Sequence, residues 1–292
     1  MEEKIVQEFH DAYIKADEQC LEDLWKNKSP KSLVHFYSGK YESKGDNYLL
    51  KSISNNTLWL SSPQFFNDPF DCVINTNFHG EAKKFSEQIL NKYFDKDIVK
   101  SLLYSSNGQA TVEKIAEYLK GENEGKHLHL EKSIYVSCFS EKDNLHSLRM
   151  WAHYANNHSG VCVEYDFNVV NNVSPFGCIP IKYTDDYKYL LYTSNISEDV
   201  TNYMKFFTKA KEWSYEKEWR VAQNNENPNT KGYSIPIALP LAVYIGCKTS
   251  ERLKEDVIRI CKSKNIPAYQ MKLKPGSFQL YYELIDEQKT LR

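Results

Sequence analysis

Two glutamates and an arginine occupy alternate positions of one short segment, at Glu216, Glu218 and Arg220. Successive side chains of a β-strand point to opposite faces of its sheet. A strand over this segment predicts that the three side chains share one face, where two carboxylates held by an arginine project into a cleft. Arg occurs at only five positions of the chain, so its use here favours a two-pronged contact with a carboxylate or phosphate. The alternative is a half-buried strand whose exposed charges compensate one another.

A second segment combines hydroxyl, imidazole and guanidinium groups. Ser137 and Ser140 close a β-rich run, and a helix is predicted directly after it, over residues 144–156. Three side chains recur on one face of that helix: His146, Arg149 and His153. This face is either a solvated basic surface or part of a cleft that holds an anion.

A third segment, at residues 66–71, reads Phe-Asn-Asp-Pro-Phe-Asp. Asn67 and Asp68 before a proline favour an ordered turn. The turn either anchors a crossover of the chain or forms a rigid wall of a ligand pocket.

Several well-known catalytic motifs do not occur. The chain has no phosphate-binding glycine loop, no dinucleotide-binding glycine motif, no H-E-x-x-H and no G-x-S-x-G. His127 and His129 could share a strand face, but no third ligand is signalled nearby, so we predict a surface loop there and no metal site.

Composition places the chain among ordinary globular proteins. Its 292 residues are 41% hydrophobic and 26% charged, with a net charge of −2 that excludes a broad basic surface for DNA or RNA. Seven scattered cysteines favour a reducing compartment. No apolar run is long enough for a membrane helix and no signal peptide is recognisable, so we expect a cytoplasmic protein without membrane contacts.

The elements that must position these groups suggest an α+β fold of short mixed or antiparallel strands. We expect a single domain over residues 1–292, with an N-terminal helix at 1–28 and a helical insertion at 80–130. The core comprises residues 30–75 and 133–285. Within it, we predict a helix over 46–54 capped by residue 46 or 47, mostly helix over 186–212, and a β-α-β-β tail from 241 to 285.

The three segments together resemble a bacterial family, domain-of-unknown-function family 2971. The resemblance rests on F-N-D-P-F-D, on S-C-F-S-E followed by M-W-A-H-Y-A, and on W-S-Y-E-K-E-W-R, and it covers most of residues 30–285. Some relatives occur among abortive-infection and phage-defence proteins. The resemblance thus implies a cytoplasmic bacterial role in antiviral defence.

The order of elements is also similar to that of ADP-ribosyltransferases. His35 lies on the first predicted strand, Ser137 to Ser140 stand where those enzymes have Ser-Thr-Ser, and Glu216-Lys217-Glu218 supplies Glu-x-Glu. Cys138 and Phe139 interrupt the serine motif, which departs from the pattern. The resemblance implies a split-sheet core with added helices and NAD as the substrate.

The same resemblance assigns roles to individual residues. Glu218 would stabilise the ribosyl cation, and Glu216 would orient or deprotonate the acceptor. His35 would hydrogen-bond the adenosine ribose, and Ser137 would brace Glu218 or the nicotinamide ribose. Either of two tyrosines would stack on nicotinamide: Tyr37 or Tyr154. The further cofactor-binding candidates are Asn67, Asp68, Ser140, Arg149 and Arg220.

Two other functions remain open at this point. One is a non-enzymatic module that senses a nucleotide or a phage component, with the charged residues 80–121 as a partner surface. The other is a nuclease-like toxin that uses Glu216, Glu218, His146 and His153. For the enzyme, the expected partners are NAD, a protein or nucleic-acid acceptor, and a regulatory protein.

Overall fold

The computed structural model describes residues 1–43, 45–72, 78–185, 205–225 and 230–285, with the backbone alone at 78, 81 and 122–132. The helices are α1 (Glu3–Ile14), α2 (Glu18–Lys28), α3 (Tyr48–Asn55), α4 (Phe78–Leu90), α5 (Lys96–Tyr104), α6 (Ser106–Ser133), α7 (Leu148–Tyr154), α8 (Phe167–Asn171) and α9 (Glu251–Ser263).

The strands are β1 (Ser32–Tyr37), β2 (Thr57–Ser61), β3 (Ile134–Glu141), β4 (Val161–Asp166), β5 (Ile179–Pro180), β6 (Lys182–Tyr183), β7 (Thr208–Lys209), β8 (Glu218–Asn224), β9 (Gly232–Pro236), β10 (Ala242–Ile245), β11 (Ala268–Leu273) and β12 (Leu280–Leu284). Short 3₁₀ helices connect them at Pro63–Phe65, Lys142–His146 and Lys211–Glu216.

The fold is α+β, as predicted, and ten of the strands form one mixed sheet. The sheet runs in the order β12-β11-β10-β4-β1-β3, where β10 and β11 are parallel and the other pairs are antiparallel. One edge of β3 pairs with β8 over Ile134–Ser140, and β5 lies beyond β8. β6 and β7 form a separate parallel pair.

The other edge of β3 is shared by two strands that diverge. β1 pairs with its end, Val34 opposite Ser140, whereas β2 meets it only where Ser61 lies opposite Val136. β9 continues the sheet beyond β2. Along the described strands, the backbone of residues 137–139 therefore has no ladder partner on this edge, and the sheet splits there.

Apolar clusters cover both faces of the sheet. On one face, α1, α2, α3, α8 and α9 bury the largest apolar cluster, which includes Leu33, Phe139, Val163 and Trp219. On the opposite face α7 packs through Trp151, whose ring meets Phe36 edge-on at 5.3 Å between centroids. The helices α4, α5 and α6 have a small apolar cluster of their own.

Several predicted boundaries are wrong for identifiable reasons. The N-terminal helix is two helices, because Ala16 has a φ of +52° and the Asp17 side chain caps a new helix at the Cys20 N–H. The helix predicted from residue 144 begins at Leu148, after a 3₁₀ turn, and is capped by Ser147. Strand β9 was not predicted.

Other predictions agree with the structure. Asn47 caps α3, and the β-α-β-β tail is present as β10, α9, β11 and β12. The predicted insertion is helical over Phe78–Ser133, in three helices. Of the helix predicted over 186–212, residues 186–204 lie outside the described residues, and Thr208–Lys209 is a strand rather than a helix.

Candidate functional site

A cleft opens where β1 and β2 diverge from β3, on the face of the sheet that α7 covers. Side chains or backbone of most predicted site residues line it: His35, Asn67, Ser137, Ser140, Tyr154, Glu216 and Glu218. The lining residues that were not predicted include Trp59, Asp71 and Lys209. We refer to it as the split-sheet cleft.

The Arg220 guanidinium holds two acidic side chains of the cleft in place. Its side chain is fully buried, and Nε lies 2.6 Å from Glu218 Oε1. Its two terminal nitrogens grip Asp71, with Nη1 to Oδ1 at 2.8 Å and Nη2 to Oδ2 at 2.6 Å. Nη1 also donates to the Phe206 carbonyl at 2.8 Å. The prediction that Arg220 binds a cofactor is therefore wrong, because its donors are engaged by the protein itself.

Lys209 links all three carboxylates of the cleft. Its Nζ lies 2.7 Å from Glu216 Oε2, 3.2 Å from Glu218 Oε2 and 3.3 Å from Asp71 Oδ2. Together with Arg220 these residues form what we call the charge cluster: Asp71, Lys209, Glu216, Glu218 and Arg220. Three negative and two positive groups are thus buried together, each with partners of opposite charge.

Sequence reasoning missed Asp71 and Lys209. Asp71 closes the Phe-Asn-Asp-Pro-Phe-Asp segment, and an acidic residue directly after a predicted pocket wall was a usable signal. Lys209 gave none, since it lies in a stretch predicted to be helical and is one of many lysines.

Glu216 reaches the cleft from a different element than predicted. It ends the 3₁₀ helix Lys211–Glu216, and β8 begins only at Glu218, after Lys217 with a φ of +45°. Strand alternation therefore does not align the two glutamates, although both enter the cleft. The Tyr154 hydroxyl donates to Glu216 Oε1, and the Asn144 amide holds the Glu216 carbonyl at 2.6 Å.

The two glutamates have different proton affinities. Burial, together with the charge of Glu218, raises the pKa of Glu216 to about 7. Burial would also raise the pKa of Glu218, but Arg220 and Lys209 outweigh it and hold that pKa below its ordinary value. At neutral pH, Glu218 is therefore a fixed carboxylate, whereas Glu216 can gain or lose a proton.

His35 fills the gap between the diverging strands. Its Nδ1 lies 2.7 Å from the Cys138 carbonyl oxygen, on the edge of β3 that lacks a ladder partner. Burial lowers the pKa of His35 to about 4, so the ring is neutral near pH 7. Because a carbonyl only accepts, Nδ1 carries the proton and Nε2 remains as an acceptor. A contact with an adenosine ribose stays a prediction.

The two serines lie on opposite faces of the sheet. Ser140 is directly across from Glu218 in the β3–β8 ladder, whereas Ser137 is across from Val221. The prediction that Ser137 braces Glu218 is therefore wrong, and Ser140 is the serine beside Glu218. The alternative, a contact of Ser137 with the nicotinamide ribose, stays a prediction. The buried Ser137 hydroxyl has no hydrogen-bond partner among the described residues.

Four further candidates can be placed. Asn67 lines the cleft, but Asp68 Oδ1 accepts the Phe70 N–H at 2.9 Å, so Asp68 stabilises the turn rather than lining the cleft. Tyr37 is not a lining residue, and burial raises its pKa to about 12. Arg149 is exposed and lies outside the cleft, with its guanidinium 4.1 Å from the centroid of the Tyr215 ring.

The histidines proposed for a nuclease do not converge on the cleft. Nδ1 of His146 lies 2.8 Å from the Leu280 carbonyl oxygen, and the ring stacks on Tyr282. His153 is exposed, with Nδ1 3.0 Å from the Tyr215 hydroxyl oxygen. The side chains of residues 127 and 129 lie outside the described residues. Among all the residues whose side chains the structure describes, no group of three or more His, Cys, Asp and Glu is placed to hold a metal ion.

The fold and the cleft define an α+β protein with a mixed, split sheet and a buried charge cluster at the split. Residues 150–221 match the model of a family described as "Protein of unknown function (DUF2971)". This match confirms the family resemblance that the motifs predict, over a segment that includes Tyr154, Lys209 and both glutamates. No curated protein and no solved structure gives a match to the chain.

None of the described helices combines the length and the apolar character that crossing a bilayer requires.

Proposed function

We propose that the protein is an ADP-ribosyltransferase-like enzyme that breaks the nicotinamide–ribose bond of NAD. The observation that carries the proposal is the pairing in one cleft of a fixed carboxylate, Glu218, with a carboxyl group of pKa about 7, Glu216. Pairs of carboxyl groups whose environments separate their pKa values are typical of acid–base and glycosidic chemistry.

The chemistry follows from the charges. When the bond breaks, nicotinamide leaves as a neutral base with the bonding electron pair, and a cation develops on the ribose. The Glu218 carboxylate stabilises that cation most strongly in the transition state, because Arg220 and Lys209 already hold it in place. Glu216 accepts a proton from the acceptor, which attacks the ribose carbon. The acceptor is a protein, a nucleic acid or water.

The order and placement of elements support this proposal. His35 lies on β1 at the split, Ser140 lies across from Glu218, and both Glu216 and Glu218 line the cleft. These positions correspond to the His, Ser and Glu-x-Glu order of ADP-ribosyltransferases. From the family resemblance, we further propose a cytoplasmic bacterial protein that acts in defence against phage.

The test is release of nicotinamide from NAD by the purified chain. We expect release to fall on the order of 100-fold or more in Glu218→Gln, because the substitution removes the charge that stabilises the cation. The matched control is Glu164→Gln. Glu164 is also a buried glutamate in this sheet, bonded to Ser32 at 2.6 Å and Tyr244 at 2.7 Å, but it does not line the cleft.

Thermal unfolding of both variants serves to check that they are folded before their rates are compared. NAD binding without release of nicotinamide would contradict the proposal and favour a sensor module. Full activity in Glu218→Gln would contradict it as well, since no other ionised carboxylate is assigned this role.

A further inference from the structure

The positively charged side chains of the split-sheet cleft already form ion pairs with carboxylates. Among the described residues that line or brace the cleft, the positive groups are Lys209 and Arg220, and both contact acidic side chains within 3.3 Å. A phosphate that entered here would have to displace a buried carboxylate, and it would also meet the excess negative charge of the cluster. The phosphates of a nucleotide must therefore be bound elsewhere.

A group of aromatic rings lies at the mouth of the cleft, beside Glu216. His153, Trp213 and Tyr215 meet at 6.1 to 6.4 Å between ring centroids. We call these three rings, with Arg149, the aromatic rim. It is continuous with the cleft, because the His153 ring packs edge-on against Tyr154 at 6.2 Å and Lys209 Nζ lies 5.0 Å from the Trp213 centroid.

Arg149 is the cation of this rim, and it differs from the cations of the cleft. Its guanidinium lies over the Tyr215 ring at 4.1 Å, and the side chain is exposed. In the described part of the chain it has no carboxylate within salt-bridge distance. A guanidinium stacked on a ring keeps its N–H groups at the edge, where they match the oxygens of a phosphate.

The half-buried rings of Trp213 and Tyr215, next to the exposed Arg149, have the chemistry that binds a nucleotide. A nucleobase stacks on an aromatic ring, and its phosphate pairs with the guanidinium. A basic acceptor side chain of a protein would instead be repelled by Arg149. The exposed cation and the rings thus favour a nucleotide over a lysine- or arginine-bearing peptide.

We propose that the aromatic rim is a nucleotide-binding subsite, in which Trp213 or Tyr215 stacks on the base and Arg149 binds the phosphate. This inference deepens the proposed function, on which its biological meaning rests. Two sources supply the same chemistry: the ADP half of NAD, with its nicotinamide ribose in the cleft, or a nucleotide of a single-stranded nucleic acid that serves as the acceptor.

The test is direct binding by calorimetry, which needs no turnover. The probes are ADP, adenosine and a single-stranded oligodeoxyadenylate of about 12 nucleotides. We expect Arg149→Ala to weaken binding of ADP or of the oligonucleotide by about 10-fold or more, because a charge-assisted phosphate contact is lost. The matched control is Arg252→Ala, since Arg252 lies over Tyr41 at 4.2 Å in the same kind of pair on another part of the surface.

Tight ADP binding that depends on Arg149 assigns the subsite to the dinucleotide. Binding of the oligonucleotide alone, with the same dependence, assigns it to the acceptor. Equal affinity for adenosine and ADP, an unchanged Arg149→Ala variant, or no binding of any probe would each overturn the inference. If ADP binds through Arg149 but nicotinamide is never released from NAD, the subsite stands and the proposed function fails.

Discussion

Replacing Asp71 by Asn tests whether the charge cluster stabilises the fold as well as the cleft. Asp71 connects the loop at residues 62–72 to β8 through its paired contacts with Arg220. The substitution keeps the shape of the side chain and one acceptor oxygen but removes the charge. Arg220 is then left buried with Glu218 as its remaining close carboxylate.

The magnitude can be worked from the pKa of Asp71. Burial would raise this pKa, but Arg220 and Lys209 outweigh burial and lower it from 3.8 to about 2. At about 1.4 kcal/mol for each pKa unit, the ionised form contributes about 2 kcal/mol to the free energy of unfolding. Removing one partner of a buried ion pair costs about 3 to 5 kcal/mol in other proteins. We expect Asp71→Asn to lower the free energy of unfolding by about 2 to 5 kcal/mol.

The assay is urea denaturation at pH 7, repeated at lower pH. The folded-state pKa is depressed, so the contribution is present above 3.8 and is lost as the pH falls towards 2. The difference between the wild type and Asp71→Asn should therefore shrink over that range. The control is Asp68→Asn, in the same loop, where the amide oxygen can still accept the Phe70 N–H and a loss below about 1 kcal/mol is expected.

Equal losses in Asp71→Asn and Asp68→Asn would refute this reasoning, because the ion pair would then add nothing to a simple turn contact. A loss in Asp71→Asn that stays constant from pH 7 to pH 2 would refute it too, since the charge would not be its source.

Two further predictions concern protons. If Glu216 acts as the base, the rate of nicotinamide release rises with pH through about 7, and we call this rise the basic limb of the pH profile. The limb should disappear in Glu216→Gln. It should move to higher pH in Tyr154→Phe, because that variant loses a hydrogen bond that favours the Glu216 carboxylate. A limb that is unchanged in both variants would show that Glu216 is not the titrating group. Burial lowers the pKa of His10 from 6.5 to about 4, so a contribution of about 3 kcal/mol is present above pH 6.5 and is lost as the pH falls through 4. His10→Gln should flatten this acid loss in denaturation curves, whereas the exposed His153→Gln should not.

Local patterns predicted the parts of the site that depend on local geometry. The period of a strand placed Glu218 and Arg220 on one face, and the structure has them on β8 with that alternation. The same rule failed for Glu216, because a left-handed Lys217 separates a 3₁₀ turn from the strand. A single positive φ at a residue other than glycine leaves no clear mark in the sequence.

Contacts between distant segments could not be predicted. Asp71 meets Arg220 across 149 positions of the chain, and no periodicity carries that information. The error over Ser137 has the same origin. Its face depends on the register of β3 against β8, and a shift of one residue would have exchanged Ser137 with its neighbours across the sheet.

The burial of five charges is itself an argument for function. Buried ion pairs are often no more stabilising than apolar side chains of similar volume, so stability alone does not explain Lys209 and Arg220 under three carboxylates. What the cluster does achieve is a separation of two neighbouring proton affinities. Lys209 and Arg220 both contact Glu218 and keep it ionised. Glu216 contacts only one of the two cations, Lys209, together with the Tyr154 hydroxyl, and its pKa is about 7. Perturbed pKa values in a cleft are characteristic of catalytic groups. The separation of the two proton affinities therefore gives the two cations a role beyond any support of the fold.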